Sequence, residues 1–210
     1  MGEIKNKNKL GEFTRFLEEE LFLQLKEAKI DEFEFAAESN EVEKMMLMHF
    51  RGYKIIEDKE LAFIRKPDQE RPVVSEISGY DFLKINEECL QNNYQNKDYI
   101  VTRIIEAWGT IEKYRNYGIG FIAVEGDRIA GMILGTANYE NILPIDIETL
   151  KDHRKKGIAT ELTRRFLAYC YANKLTAYWN CIISNAESRN IAEKAGFQFI
   201  GSKDYYYFNM

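Results

Sequence analysis

Apolar positions along this chain change repeatedly between helical and strand spacing. Phe13, Leu17, Leu21 and Leu25 follow Leu10 on one helical face, with Phe16 and Phe22 beside them; residues 1–9 read as frayed. Residues 31–37 alternate, with Phe33 and Phe35 sharing a face, and predict a short strand. Val42, Met45, Met46 and Met48 predict a second helix over 41–50, the methionines serving as core packing. Residues 53–56 and 61–64 are apolar runs on either side of Glu57-Asp58-Lys59-Glu60 and read as a hairpin, although the turn has no glycine. The polar stretch 66–72 holds two of the three prolines. The boundary is placed there, between an appendage over 1–70 and a main domain over 73–210.

Beyond it, Val73–Ile77 reads as a short strand. Asp81 is placed to cap a helix carrying Phe82, Ile85, Cys89 and Leu90, and Asp98 a second with Val101, Ile104, Ile105, Trp108 and Ile111 inward. Two strands, 121–124 and 128–136, flank the turn signal Gly126-Asp127. Then Leu143–Leu150 predicts a strand, 151–157 a basic turn, and Ile158 to about Asn173 an amphipathic helix. A strand over 177–183 and a helix over 187–195 ending at Gly196 follow. The last expectation is a hairpin of 197–200 and 205–208 joined by Gly201-Ser202-Lys203-Asp204.

The turn Lys151-Asp152-His153-Arg154-Lys155-Lys156-Gly157 carries the clearest chemistry. A helix start offers unpaired N–H donors and partial positive charge, and a glycine lets an anion approach the backbone. Three cations at a helix N-terminus oppose its dipole unless an anion sits among them, so the stretch reads as an anion site. It belongs to neither common phosphate-binding class. Gly118-Ile119-Gly120-Phe121-Ile122-Ala123 matches the dinucleotide spacing, but a strand follows it where a helix is required. Lys156 precedes Gly157, which is not the order of a Walker A loop.

Composition narrows the classes. At 45% hydrophobic residues the chain can build a core, and a net charge of −5 argues against nucleic acid as main partner. No apolar run is long enough to span a membrane, and the polar Met1–Asn6 reads as neither secretory signal nor myristoylation site. Cys89, Cys170 and Cys181 read as reduced, mostly buried thiols of a cytoplasmic protein. With His49 and His153 far apart and no paired-cysteine spacing, no metal site is expected.

The order of elements, with Arg154-Lys155-Lys156-Gly157-Ile158-Ala159 and Glu193-Lys194-Ala195-Gly196-Phe197, resembles the GNAT superfamily of acyl-CoA-dependent N-acyltransferases. The first run fits its pyrophosphate loop, [Arg or Gln]-x-x-Gly-x-[Gly or Ala]; the second fits its Glu-Lys-x-Gly-Phe. The resemblance covers 73–210. Trp179-Asn180-Cys181, Asn185, Ser188 and Ala192-Glu193-Lys194 are similar to the branch that includes zwittermicin A resistance acetyltransferases. The fold this implies is α/β (α+β): a mixed, mostly antiparallel central sheet flanked by helices, with a small α/β N-terminal appendage. The implied co-substrate is acetyl-CoA. Amides from Lys155 to Ala159 (Lys155, Lys156, Gly157, Ile158 and Ala159) would cradle the pyrophosphate, and Arg154, Lys155 and Lys156 would reach phosphates. Backbone from Glu148 through Thr149 to Leu150 would pair with the pantetheine arm, with Asn185 bonding to the same arm and Ser188 close by.

For the general base, Asp146 and Glu148 share one face of the strand by period-2 alternation, while Ile145, Ile147 and Thr149 share the other. Two neighbouring carboxylates suit a base working near neutrality and attract a cationic amine; Glu148 is preferred to Asp146. A backbone N–H near Thr149 or Leu150 would meet the oxyanion. Many family members carry a tyrosine acid where this chain has Ala192, so either the thiolate leaves unaided or Cys181 or Ser188 serves. His153 reads as structural. The expected activity is transfer of acetyl to a primary amine of a small molecule, without nucleic-acid or membrane partner; a homodimer is left open. The alternative is a non-catalytic acyl-CoA-binding module whose N-terminal region recognises a partner. An aminoacyl-tRNA-dependent transferase is disfavoured by the acidic balance.

Overall fold

The computed structural model describes residues 7–37 and 39–210, with side chains from residue 11 onward. The frayed start expected for 1–9 is outside the described residues over 1–6; residues 7–9 already belong to helix α1, Lys7–Phe16. A π-helical turn, Leu17–Leu21, leads into α2, Phe22–Glu27. Phe13, Leu17, Leu21 and Leu25 recur every four residues, more than the 3.6 of an α-helix, and a locally underwound turn keeps such a stripe on one side. Strand β1 (Glu32–Phe35) and α3 (Asn40–His49) follow, α3 capped by Ser39, whose hydroxyl accepts from the Val42 N–H.

The remaining elements are β2 (Ile56–Arg65), β3 (Asp81–Lys84), α4 (Glu87–Gln91), α5 (Lys97–Trp108), α6 (Ile111–Tyr117), β4 (Gly120–Glu125), β5 (Arg128–Gly135), β6 (Ile142–Thr149), a 3-10 turn (Lys151–His153), α7 (Ile158–Asn173), β7 (Thr176–Ile182), α8 (Ala186–Lys194) and β8 (Gln198–Asn209). Eight strands form one sheet in the order β1-β8-β2-β7-β6-β5-β4-β3. β1 and β8 are antiparallel, as are the successive pairs from β3 to β6, whereas β6 and β7 run parallel. This is the mixed, mostly antiparallel sheet with flanking helices that the sequence implied.

Several elements differ from the sequence expectation. Both expected hairpins are single strands, β2 and β8. Charges within the two quartets read as turns are the reason: Lys59 meets Asp204 at 2.7 Å and Glu60 meets Lys203 at 2.9 Å, so charges on adjacent strands pair. Residues 73–77 form no strand, and Val73 is 78% exposed. Asp81 opens β3 and caps nothing, because Phe82 pairs opposite Ala123 of β4; Asn86 caps α4 by accepting from the Cys89 N–H at 2.8 Å. The helix expected from Asp98 through Ile111 is two helices. Asn96, not Asp98, stands at the start of the first; Gly109 (φ 76) ends it, and Thr110 caps the second.

Close contacts divide the chain into two compact units. The first gathers the chain up to Leu61 with Ile182–Ser184 and Ser202–Met210. Its core is Leu17, Phe22, Phe35, Val42, Met45, Met46, Phe50, Tyr206 and Phe208, so Met45 and Met46 are packing residues. In this unit Asp58 is buried in β2, and its carboxylate accepts from the Lys59 N–H at 2.7 Å and from the Ser184 hydroxyl. Burial works against the charge, but these bonds and the backbone of Ser184 and Ile183 prevail and hold the pKa below its ordinary 3.8. A lowered carboxylate pKa adds stability above the unfolded value, lost as pH falls through the folded one. Asp58→Asn is therefore expected to lower the melting temperature near neutrality. The gap to wild type should close once pH drops below 3.8; thermal unfolding across that range checks it.

The second unit holds Ala62–Cys181 and Asn185–Gly201. On one face of β4 and β5, Ile122, Val124, Ile129, Met132 and Leu134 pack with Ile100, Ile104 and Tyr114 of α5 and α6. Helix α7 packs on β4, β5 and β6 and buries Ile158, Leu162, Phe166, Leu167 and Cys170. Its Glu161, 1% exposed, accepts from the Ser75 N–H and hydroxyl, both at 2.9 Å, and pairs with Arg165 at 3.1 Å. That ties 75–80 beside the start of α7. Helix α8 closes as expected at Gly196 (φ 80), where the Phe197 N–H returns to the Ala192 carbonyl at 3.0 Å.

Candidate functional site

Strand β6 is the spine of the site. It pairs with β7 only at Ile142–Thr176, Leu143–Ala177 and Pro144–Tyr178, and beyond Pro144 the two strands part. On its other side it stays paired with β5, up to Thr149 opposite Gly131. In an antiparallel ladder alternate residues turn their backbone groups to the same neighbour. Pro144 accepts from Thr136 and Leu150 donates to Ala130, at 2.9 Å each, so the even-numbered residues face β5. The amides of Ile147 and Thr149 therefore face the gap left by β7, where no strand pairs with β6 among the described residues. Leu150, expected to offer its N–H here, has given it to Ala130.

Below that strand end the chain makes the 3-10 turn and reaches Gly157, whose φ of 85 and ψ of −1 are left-handed; Lys155 is left-handed too, at φ 61. No side chain caps α7. The Glu161 N–H is the first to bond within the helix, to Gly157 at 3.0 Å, which leaves the amides of Ile158, Ala159 and Thr160 facing outward. A cleft of about 450 Å³ lies over this turn. Its walls are the end of β6 (Ile147, Glu148, Thr149), the turn (His153, Arg154, Lys155, Gly157), the first residues of α7 (Ile158, Ala159, Thr160), and α8 with its cap (Asn185, Glu187, Ser188, Asn190, Ile191).

Most residues singled out by sequence therefore come together. Arg154 lines the cleft while its Nε donates to the Thr149 carbonyl at 3.1 Å. Lys156 does not line it; its ammonium donates to the Tyr80 hydroxyl at 2.9 Å, a bond that raises its pKa against the small effect of burial. Asn185 caps α8, accepting from the Ser188 N–H at 3.1 Å. Ser188 accepts from Trp179 Nε1 at 3.0 Å, which leaves its own hydroxyl hydrogen free to donate. Cys181 is buried away from the cleft walls, and Ala192 is fully buried. None of the three cysteines is in a disulfide, and burial pushes the Cys170 thiol up to about 12.

The two carboxylates of β6 have partners on α5 that sequence reasoning missed. Arg103 holds Asp146 through Nε at 3.0 Å and Nη2 at 2.6 Å. Burial opposes the guanidinium charge, yet Asp146 prevails and raises the pKa. Tyr99 donates its hydroxyl to Glu148. Burial, then that bond and the Glu148 charge, raise the phenol pKa and keep it protonated. Glu148 lines the cleft and Asp146 does not. Tyr99 and Arg103, four residues apart, lie on one side of α5; that spacing was the available signal. Among the described residues no cluster of three or more His, Cys, Asp or Glu could hold a metal, and no helix is long and apolar enough to cross a membrane.

The sheet splays beside its central strand, over a left-handed glycine turn and an uncapped helix start. A family model described as GNAT acetyltransferase matches residues 8–206, and the chain belongs to that family. It is 26% identical over 147 residues to an uncharacterized N-acetyltransferase, YdfB, of Bacillus subtilis (strain 168). That match covers 70% of this chain and 55% of the relative, so the chain spans about half the relative's length. Among solved structures, it is similar to a GCN5-related N-acetyltransferase-like protein from Streptococcus suis 89/1591, with TM-score 0.66, 15% identity and 84% and 71% of the two chains covered. It is also similar to a GCN5-related N-acetyltransferase from Sphaerobacter thermophilus, with TM-score 0.56, 17% identity and 85% and 59% covered. These structural likenesses concern the fold. The similarities reach the family and stop short of any branch, the zwittermicin A resistance branch included.

Proposed function

We propose that the protein transfers an acetyl group from acetyl-CoA to a primary amine of a small molecule by direct attack. The observation that carries this reading is the parting of β6 and β7 directly above the Gly157 turn. It gives one cleft both an open strand edge, at Ile147 and Thr149, and the first-turn amides of α7. An amide-bearing pantetheine arm fits the edge as an added strand, and a diphosphate fits the amides. Arg154 and Lys155 supply positive charge beside them.

In this reading Glu148 takes the proton from the amine, directly or through a water, as nitrogen attacks the thioester carbonyl carbon. Tyr99 holds one carboxylate oxygen and leaves the other for the proton. Asp146, engaged by Arg103, sets the charge around the base. One edge amide, that of Ile147 or of Thr149, receives the carbonyl oxygen as it becomes negative, and the other remains for the pantetheine arm. The carbon–sulfur bond then breaks and the sulfur takes a proton. A thiol pKa of about 8.5 makes it a fair leaving group unaided, and Ser188 is one hydroxyl on the cleft wall that can donate. Holding both reactants in one cleft supplies much of the rate without a covalent intermediate.

The test is calorimetric titration with acetyl-CoA, followed by free-thiol release over polyamines, aminoglycosides, amino acids and peptides. Saturable binding and acceptor-dependent thiol release are expected. Absence of binding, or binding with no release on any amine, would overturn the proposal.

A further inference from the structure

Glu161 is a buried acid in the first turn of α7, and no step of the proposed transfer uses it. A carboxylate so close to a helix start is drawn to the free amides and the positive end of the dipole there. This one is turned away from them. Its Oε1 accepts from the Ser75 N–H at 2.9 Å and from Arg165 Nε at 3.1 Å, and its Oε2 accepts from the Ser75 hydroxyl at 2.9 Å. With both oxygens engaged, it leaves α7 without a side-chain cap.

The serine it holds belongs to a segment with little structure of its own. Val73, Val74 and Ser75 are exposed. Between 73 and 80 the chain makes one isolated bridge, Ile77 to Tyr80, closed across Gly79 (φ 83) by the Tyr80 N–H and the Ile77 carbonyl at 3.0 Å. Beyond Ser75 the segment meets the basic turn at successive places. Ile77 Cδ1 is the atom that a Cβ on Gly157 would touch. The Tyr80 hydroxyl accepts from Lys156 Nζ at 2.9 Å and lies 2.9 Å from His153 Nδ1. These contacts bracket Lys155, left-handed at φ 61. A residue with a side chain is costly to keep in that region and stays there only where its surroundings hold it. None of Ser75, Ile77, Tyr80 and Glu161 belongs to the cleft wall, so any effect they have on a ligand passes through the turn.

We infer that Glu161 and Ser75 form a latch and are positioning residues for binding of the acyl donor. The latch fastens 75–80 across the turn, keeps the buried carboxylate off the amides of α7, and so sets the turn in its binding conformation before a ligand arrives. This rests on the proposed use of acetyl-CoA. It gives the buried charge of α7 a task in binding, and it makes the exposed segment before β3 a part of the donor site without any contact to the donor.

Calorimetry and amide exchange followed by NMR test the latch. Ser75→Ala removes one of its three bonds at an exposed position. A ligand that needs the set turn then binds with an affinity reduced by the fraction of molecules in which the turn is set. CoA is expected to bind about three- to tenfold more weakly, as that fraction falls to about a third to a tenth, while pantetheine binds as it does to wild type. Ser75→Thr keeps the hydroxyl and should restore CoA affinity. Glu161→Gln keeps the shape but loses the charge, and should weaken CoA in the same selective way. In free Ser75→Ala the amides of Tyr80 and of Glu161, the first to bond within α7, should exchange faster than in wild type, and saturating CoA should slow the Glu161 amide again. A merely structural latch would lower the melting temperature and leave CoA affinity, measured well below melting, unchanged. The inference fails if Ser75→Ala binds CoA as wild type does, if pantetheine weakens equally, or if the Glu161 amide exchanges at the wild-type rate. Wild-type CoA binding alongside any of these leaves the acetyl-CoA reading standing, whereas failure of wild type to bind CoA overturns both.

Discussion

Glu148→Gln is expected to slow acetyl transfer by about 10²–10⁴-fold, the usual worth of a positioned general base, with little change in the KM for acetyl-CoA. Glutamine has the same shape and can still accept from the Tyr99 hydroxyl, so the wall of the cleft should survive. What it cannot do is take a proton from the attacking amine. The contacts expected to hold acetyl-CoA are backbone amides of Ile147, Thr149 and the first turn of α7, none of which passes through this side chain. Tyr99→Phe is expected to have the smaller effect: it frees one carboxylate oxygen and loosens the base without removing it. The readout is acceptor-dependent thiol release as a function of pH. A variant with the wild-type rate and the wild-type pH profile would remove Glu148 from the mechanism.

The contrast between Glu148 and Asp146 shows how far the sequence could be read. Period-2 alternation put both carboxylates on one face, and both meet side chains of α5. Alternation could not say that Arg103 would engage one and a phenol the other. Those partners lie on a helix distant in sequence, and its local pattern announces only the buried stripe. The same limit explains β2 and β8. Each quartet looks like a turn in its own strand, and only the partner strand shows that its charges meet. Where the signal is local, the reading was close. β6 was expected over Leu143–Leu150 and spans Ile142–Thr149; α7 was expected from Ile158 to about Asn173 and spans those residues. The basic glycine turn was legible because three cations and a glycine at a helix start have few local uses. Tyr80 was not, because its bond to Lys156 comes from a segment held in place by a buried glutamate of α7. Ile147 could have been found by the parity that placed Glu148: if even-numbered side chains share a face, odd-numbered amides share an edge.

Substitutions at Gly157 are expected to weaken CoA binding in the order Asn, Ala, Val, with Ala lowering affinity about five- to thirtyfold and Val more. At φ 85 and ψ −1 the residue is left-handed, a conformation that costs an L-residue with a side chain about 1–2 kcal/mol. Space is not the obstacle. An added Cβ would meet only the Ile77 Cδ1, at 3.5 Å, an ordinary contact. The penalty is in the backbone, and the turn can escape it only by rotating the peptide that leads into α7. That rotation turns the amides of Ile158 and Ala159 away from the cleft, so strain in the free protein and loss of the anion cradle are two outcomes of one substitution. Asparagine tolerates the left-handed region better than alanine, while a β-branched residue tolerates it least, and this sets the order. Melting temperatures separate the outcomes. A variant that keeps the turn loses stability and retains affinity; one that relaxes the turn keeps stability and loses affinity. Lys155→Gly is the complementary change, since Lys155 is already left-handed at φ 61. It is expected to raise the melting temperature while removing one cation, so that its effect on affinity reports charge alone. If Gly157→Val binds CoA as tightly as wild type and also keeps the wild-type melting temperature, the helix-start amides are not the diphosphate cradle, and the weight of binding must fall on Arg154, Lys155 and the open edge of β6.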